Sequence, residues 1–171
     1  MHEASAASVP AAPLSHGNEI EHRRLLAIRA NTNIDEQGEF TPTLTFATPG
    51  DLSNAYTTQD GDFWRVGLLV FFSLKLDVTP TFTTAAGEAR IGLHYTASAT
   101  LPDAYQTAVV SGTGVTWPGG RTSPVGLVRA GDETLEVAFA GSGAAVQNLA
   151  AADITSGVAL QLSVTGCYAI D

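Results

Sequence analysis

Tyr56-Thr-Thr-Gln-Asp60-Gly61-Asp62-Phe63-Trp64-Arg65-Val66-Gly67-Leu68-Leu69-Val70-Phe71-Phe72-Ser73-Leu74-Lys75-Leu76-Asp77-Val78 is the stretch whose reading decides the fold. Asp60-Gly61 between β-prone flanks predicts a two-residue hairpin turn, because primed turns need the positive φ that Gly and Asp tolerate. Beyond Gly67, the apolar Val70, Phe72, Leu74, Leu76 and Val78 alternate with Phe71, Ser73, Lys75 and Asp77, which predicts a long strand with one apolar face. From Leu68 to Phe72 both faces are apolar, so something must also cover the outer side, another sheet or another subunit. A subunit interface is the expectation.

Working outward, β signals fill the rest of the chain after the turn-rich Asn33-Ile34-Asp35-Glu36-Gln37-Gly38. Phe40, Leu44 and Phe46 alternate with threonines in a single predicted strand, with Pro42 marking an edge or a bulge. Further strands are expected at Ser53–Thr58, Phe63–Val66, Leu68–Val78, Ala89–Tyr95, Ala104–Ser111, Gly114–Trp117, Pro124–Arg129, Glu133–Phe139 and Val158–Thr165. Many short strands joined by Gly-, Ser- and Thr-rich connections predict an all-β jelly-roll β-sandwich over residues 34–171.

Upstream, residues 1–17 are Ala, Ser and Pro without a period, which predicts an extended arm. Residues 18–33 read as a short helix, with Asn18 and Glu21 in capping-box spacing and Arg29 in the last turn. At about four turns it is marginal alone, so Ile20, Leu25, Leu26 and Ile28 should pack on the β domain, on a partner or on copies of themselves. Together with Val9 and Leu14, they are the residues expected to hold the chain to a larger partner.

Composition closes several functional classes. The formal charge of the 171 residues is −9 with one lysine, Lys75, which speaks against nucleic acid, whose phosphates require clustered Lys and Arg. No apolar run is long enough to span a membrane. The N-terminus shows no signal-peptide pattern, so synthesis in the cytoplasm is expected. A single cysteine, Cys167, allows no intrachain disulfide and no Cys/His zinc spacing, and is expected to be a buried apolar residue. His2, His16, His22 and His94 share no ligand spacing, and His94 reads as an ordinary strand histidine. Asp60-Gly61-Asp62 could offer carboxylates to calcium, but a hairpin turn explains it without a metal. No elbow, phosphate loop or metalloprotease signature is present, so neither catalytic residues nor cofactors are expected. Trp117 and Arg121 on a Gly/Pro-rich loop, and more weakly Tyr105, form the aromatic-plus-guanidinium pattern that stacks on sugars. Alternatively, Trp117 plugs the end of the core and Arg121 is solvated.

The segments Phe40-Thr-Pro42-Thr-Leu44-Thr-Phe46, Tyr56-Thr-Thr-Gln59 and Gly61-x-Phe63-x-Arg65-Val66-Gly67-x-Leu69-Val70-Phe71 resemble a pattern in virion proteins of tailed phages and prophages: tail fibres, tail spikes and head-decoration proteins. The resemblance covers roughly residues 40–95. It departs at Leu68, where a polar residue is usual, and at Trp64, in a slot that is often small. It implies a trimeric knob of jelly-roll type on a particle surface, with Leu69, Phe71, Trp64 and Arg65 at the subunit interface. It also implies other virion proteins as partners of the N-terminal arm and a cell-surface polysaccharide as the contacted surface; the lack of a catalytic constellation in the chain is what speaks against enzymatic activity. Gly61 and Gly67 would be turn and bend positions. The alternative is a free lectin-like module, and an envelope enzyme or glycan depolymerase is a third class.

Overall fold

The computed structural model describes residues 34–100, 106–117, 119, 121–141 and 143–171. The expected arm and helix, with Val9, Leu14, Ile20, Leu25, Leu26 and Ile28, lie outside the described residues, as does Tyr105. Residues 34–171 form one compact unit. Its strands are β1 (Glu36–Phe40), β2 (Leu44–Thr48), β3 (Ser53–Val66), β4 (Leu69–Thr81), β5 (Ala86–Gly92), β6 (Gln106–Thr113), β7 (Ser123–Val128), β8 (Thr134–Gly141), β9 (Ala144–Asn148) and β10 (Leu160–Ala169). One turn of 3-10 helix, Ala151–Asp153, is the only helical element among the described residues.

All pairings are antiparallel and run in one hydrogen-bonded order, β1-β3-β4-β10-β6-β7-β8-β5-β2, with β9 added on β8. Only Thr41, Pro42 and Thr43 separate β1 from β2, yet these strands stand at opposite ends of that order. At about 3.5 Å per residue, the step from Phe40 to Leu44 spans at most roughly 14 Å, so the sheet has to curl until its ends meet. Side chains of β3 then satisfy the free edge of β2: the Leu44 N–H donates to Tyr56 Oη (2.9 Å), Asn54 Nδ2 to the Leu44 carbonyl (2.8 Å), and Gln59 Nε2 to the Pro42 carbonyl (2.9 Å).

The curl encloses the core. On β4, Val70, Phe72, Leu74, Leu76 and Val78 are buried, as the alternation predicts, and on the neighbouring β10 Leu160, Leu162, Val164 and Tyr168 stand beside them on the same inward face. The phenol of Tyr168, pushed up to about 12 by burial, accepts a hydrogen bond from the Tyr95 N–H. Outside the apolar core, Glu136 is 2% exposed and accepts from Arg129 Nε (2.8 Å) and Asn148 Nδ2 (2.8 Å), with an Arg90 guanidinium nitrogen at 3.6 Å. A buried carboxylate is tolerated on those terms, since its charge and lone pairs are met.

Several expectations are corrected. Asp60-Gly61 is no turn: it lies inside β3, where Gly61 pairs with Leu74 of β4 and Phe40 of β1. The hairpin turns instead at Gly67-Leu68, with Gly67 at φ +60°, and thirteen residue pairs join β3 to β4. A turn at Asp60-Gly61 would have left a short ladder and an unpaired half of β4. The Phe40–Phe46 segment breaks at Thr41–Thr43 into two strands, and Glu36–Gly38, read as a turn, begins the first of them. Gly114–Trp117 carries only an isolated bridge, Val115 to Ile154, and β9 appears where no strand was expected. His94 follows β5 rather than lying within it. Cys167 is exposed, because β10 turns its even-numbered residues inward.

Candidate interaction surface

The outer face of the β3–β4 hairpin carries the largest cluster of exposed apolar side chains among the described residues. Register pairs Trp64 with Phe71 and Val66 with Leu69, and Phe71 pairs on its other side with Cys167. Trp64 is 39% exposed, Val66 44%, Leu69 45%, Phe71 42%, and Leu68 at the turn 60%. The doubly apolar run thus has an inner half in the core and an outer half facing solvent. Clusters of this kind mark interaction sites more often than isolated surface apolar residues do.

The tip is braced on both sides. The Gly67 N–H donates to Asp35 Oδ2 (2.5 Å) and the Asp35 N–H to the Arg65 carbonyl (2.8 Å). Arg65 Nε donates to the Gly67 carbonyl (3.0 Å), with its guanidinium 3.6 Å from Glu36, while the Ile170 N–H reaches the Leu68 carbonyl (2.8 Å). Arg65 therefore serves the geometry of its own turn. Behind the tip, Phe63 is buried, stacked on His94 (centroids 4.1 Å) and edge-on to Tyr95 (5.6 Å). Its β1 neighbour is Gly38, and Phe40 lies across from Gly61, so each aromatic ring sits over a glycine of the other strand. The Tyr95 hydroxyl is held above its usual range, mainly by its hydrogen bond to Glu36.

Further along the same strands the surface turns polar. Asp62 pairs with Ser73 and Asp60 with Lys75, and Gln161 Nε2 donates to Asp77 Oδ2 (2.9 Å). A cleft of about 390 Å³ opens there, lined by Glu39, Phe40, Thr41, Gln59, Asp60, Gly61 and Asp62. Among the described residues, no group of three or more His, Cys, Asp or Glu is placed to hold a metal ion.

Trp117 and Arg121 lie apart from the hairpin tip in the β-pairing scheme, on the β6–β7 connection. The Trp117 ring packs on Phe139 (centroids 5.0 Å) and helps line a small apolar depression with Val110, Val115, Pro124, Val137 and Leu149, while staying 41% exposed. Arg121 donates through Nε to the Ala145 carbonyl (3.0 Å) and through a terminal nitrogen to the Gly119 carbonyl (3.2 Å). Both side chains thus tie their loop down. Sequence reasoning missed the cleft, because Glu39 and Asp60–Asp62 meet only through the β1–β3 pairing; the alternation of Glu39 with Phe40 was the available signal.

No protein-family model matches the chain, and no curated protein matches it in sequence. No helix among the described residues is long and apolar enough to cross a membrane. Among solved structures, the crystal structure of Dettilon tailspike protein (gp208) is similar, with a TM-score of 0.57 at 15% identity over 80% of this chain. The chain spans about a quarter of that protein's length, 24%, and the likeness is one of fold: the curled antiparallel sheet recurs as part of a phage tailspike.

Proposed function

We propose that this chain is a non-enzymatic structural protein of a tailed-phage or phage-like particle, a compact surface module that assembles as a homotrimer. The observation that carries the reading is the braced apolar face of Trp64, Val66, Leu68, Leu69 and Phe71 on a fold similar to part of a tailspike. Desolvating these side chains against equivalent surfaces of two further copies supplies the driving force for assembly. Within this reading, the curled sheet plays the part of a jelly-roll sandwich. The arm at 1–17 and the helix at 18–33 attach the module to other virion proteins. The outward surface meets host polysaccharide, and the chain is made in the cytoplasm before it joins the particle.

Light scattering on the full-length protein tests this directly. A mass of three chains is expected, falling to one chain on Phe71→Asp with Leu69→Lys. A wild-type monomer at concentrations of tens of micromolar would sink the trimer. The free lectin-like alternative draws on the 41% exposure of Trp117 and requires glycan binding that Trp117→Ala weakens at unchanged oligomeric state.

A further inference from the structure

We propose that the junction between β2 and β3 is a built-in seam, at which the curled sheet opens locally beside the cleft while the rest of the sheet stays intact. Elsewhere the order from β1 round to β2 is held by backbone ladders. Here three side-chain hydrogen bonds replace a ladder, from Asn54 and Gln59 to carbonyls of β2 and its approach, and from the Leu44 N–H to Tyr56. Pro42 has no N–H to offer, so a backbone ladder cannot be completed at this point.

Three further features mark the same place. The Asn54 Oδ1 atom is buried without a hydrogen-bond partner, which costs free energy that parting the seam and admitting water would recover. Both strands are irregular beside the junction: the β2–β5 register shifts between Phe46 and Thr48, and the β3–β4 register between Tyr56 and Thr58. The cleft adjoins the seam, since Gln59, Thr41 and Phe40 line it and the Gln59 amide bridges to Pro42. Leu44 and Phe46 are each 2% exposed and hold β2 to the core, so the parting is confined to the Pro42–Leu44 end. Its effect is to enlarge the cleft and to bare the Pro42 carbonyl and both backbone groups of Leu44 as a short free strand edge.

Native-state hydrogen exchange on the full-length protein tests this, because it separates local from global opening by dependence on denaturant. The Leu44 amide is expected to exchange at least roughly a hundredfold faster than the Leu74 and Val164 amides, without denaturant dependence. Tyr56→Phe, which removes the acceptor shared by the Leu44 N–H and Asn54 Nδ2 (3.1 Å), should raise Leu44 exchange at least about tenfold, through the loss of two hydrogen bonds at the seam, and leave Leu74 and Val164 unchanged. Gln59→Ala, at the rim of the cleft, should give the same local pattern with less risk to folding. Protection of Leu44 equal to that of Leu74 would overturn the proposal. So would acceleration in both variants spread evenly over the whole sheet.

Discussion

A methyl group on Gly61 would stand 2.6 Å from Phe40 Cε1, inside any real carbon contact, so the empty position is what admits the Phe40 ring. Gly61→Ala is expected to destabilise the protein by about 1–3 kcal/mol through overpacking, read from urea unfolding. Had Asp60-Gly61 been the turn, the same substitution would act through φ alone. Phe72, 2% exposed, should cost about 3–5 kcal/mol on replacement by Ala, whereas a loss below about 1 kcal/mol would mean that its face of β4 is wrongly assigned. Asp51 belongs to a different kind of contact. Its carboxylate accepts from the Thr83 hydroxyl, the Thr83 N–H, the Thr84 N–H (2.8 Å) and the Thr84 hydroxyl, and these bonds, the Thr83 hydroxyl first, hold its pKa well below the usual carboxylate range. Asp171 is lowered in the same direction by the Ser98 hydroxyl, then by Ala99 and Thr100. Because both folded pKa values lie below the unfolded ones, their contribution is present above about pH 4 and is lost as pH falls through the folded values. The melting-temperature gap between wild type and Asp51→Ala should therefore be full at pH 7 and narrow below about pH 4. A gap that stays constant into acid would show that the carboxylate's ionisation is irrelevant.

On the scale of elements, alternation was legible wherever one face of a strand is buried. The residues Val70 to Val78 on β4 and Leu160 to Val164 on β10 face inward as their spacing predicts. The same alternation, carried three residues past Val164, puts Cys167 outside, and a composition argument about buried cysteines overrode a phase that was there to be read. The hairpin turn was misplaced for another reason. Asp-Gly and Val-Gly-Leu are both local turn signals, and the choice rests on how many cross-strand pairs each leaves, a quantity that no short window contains. The apolar outer half at Leu69 and Phe71 was expected, and it is exposed in the folded unit. For the hairpin, Phe71→Ser is expected to leave unfolding free energy within about 1 kcal/mol of wild type, since the side chain is half out of the core, while reducing self-association in sedimentation velocity. A drop of several kcal/mol would mean that Phe71 is structural.

For the whole molecule, residues 34–171 enclose their own core as one compact unit, so a fragment of residues 34–171 should fold with cooperative thermal unfolding. In the proposed setting, deletion of residues 1–31 should abolish incorporation into particles while leaving the β domain folded, and normal incorporation would remove the anchoring role. The sequence by itself determined the all-β class, the inward faces of β4 and β10 and the unusual second apolar face, because side-chain period and composition are local properties of a chain. The tertiary structure alone decided that Phe40–Phe46 divides between the two ends of one sheet, that Gly61 makes room for a ring, and that Trp117 and Arg121 fasten their own loop. Each of these depends on which distant strand comes to lie alongside. That is settled by the closing of the sheet over a shared core, where pairing and burial are won together and no single segment carries the outcome.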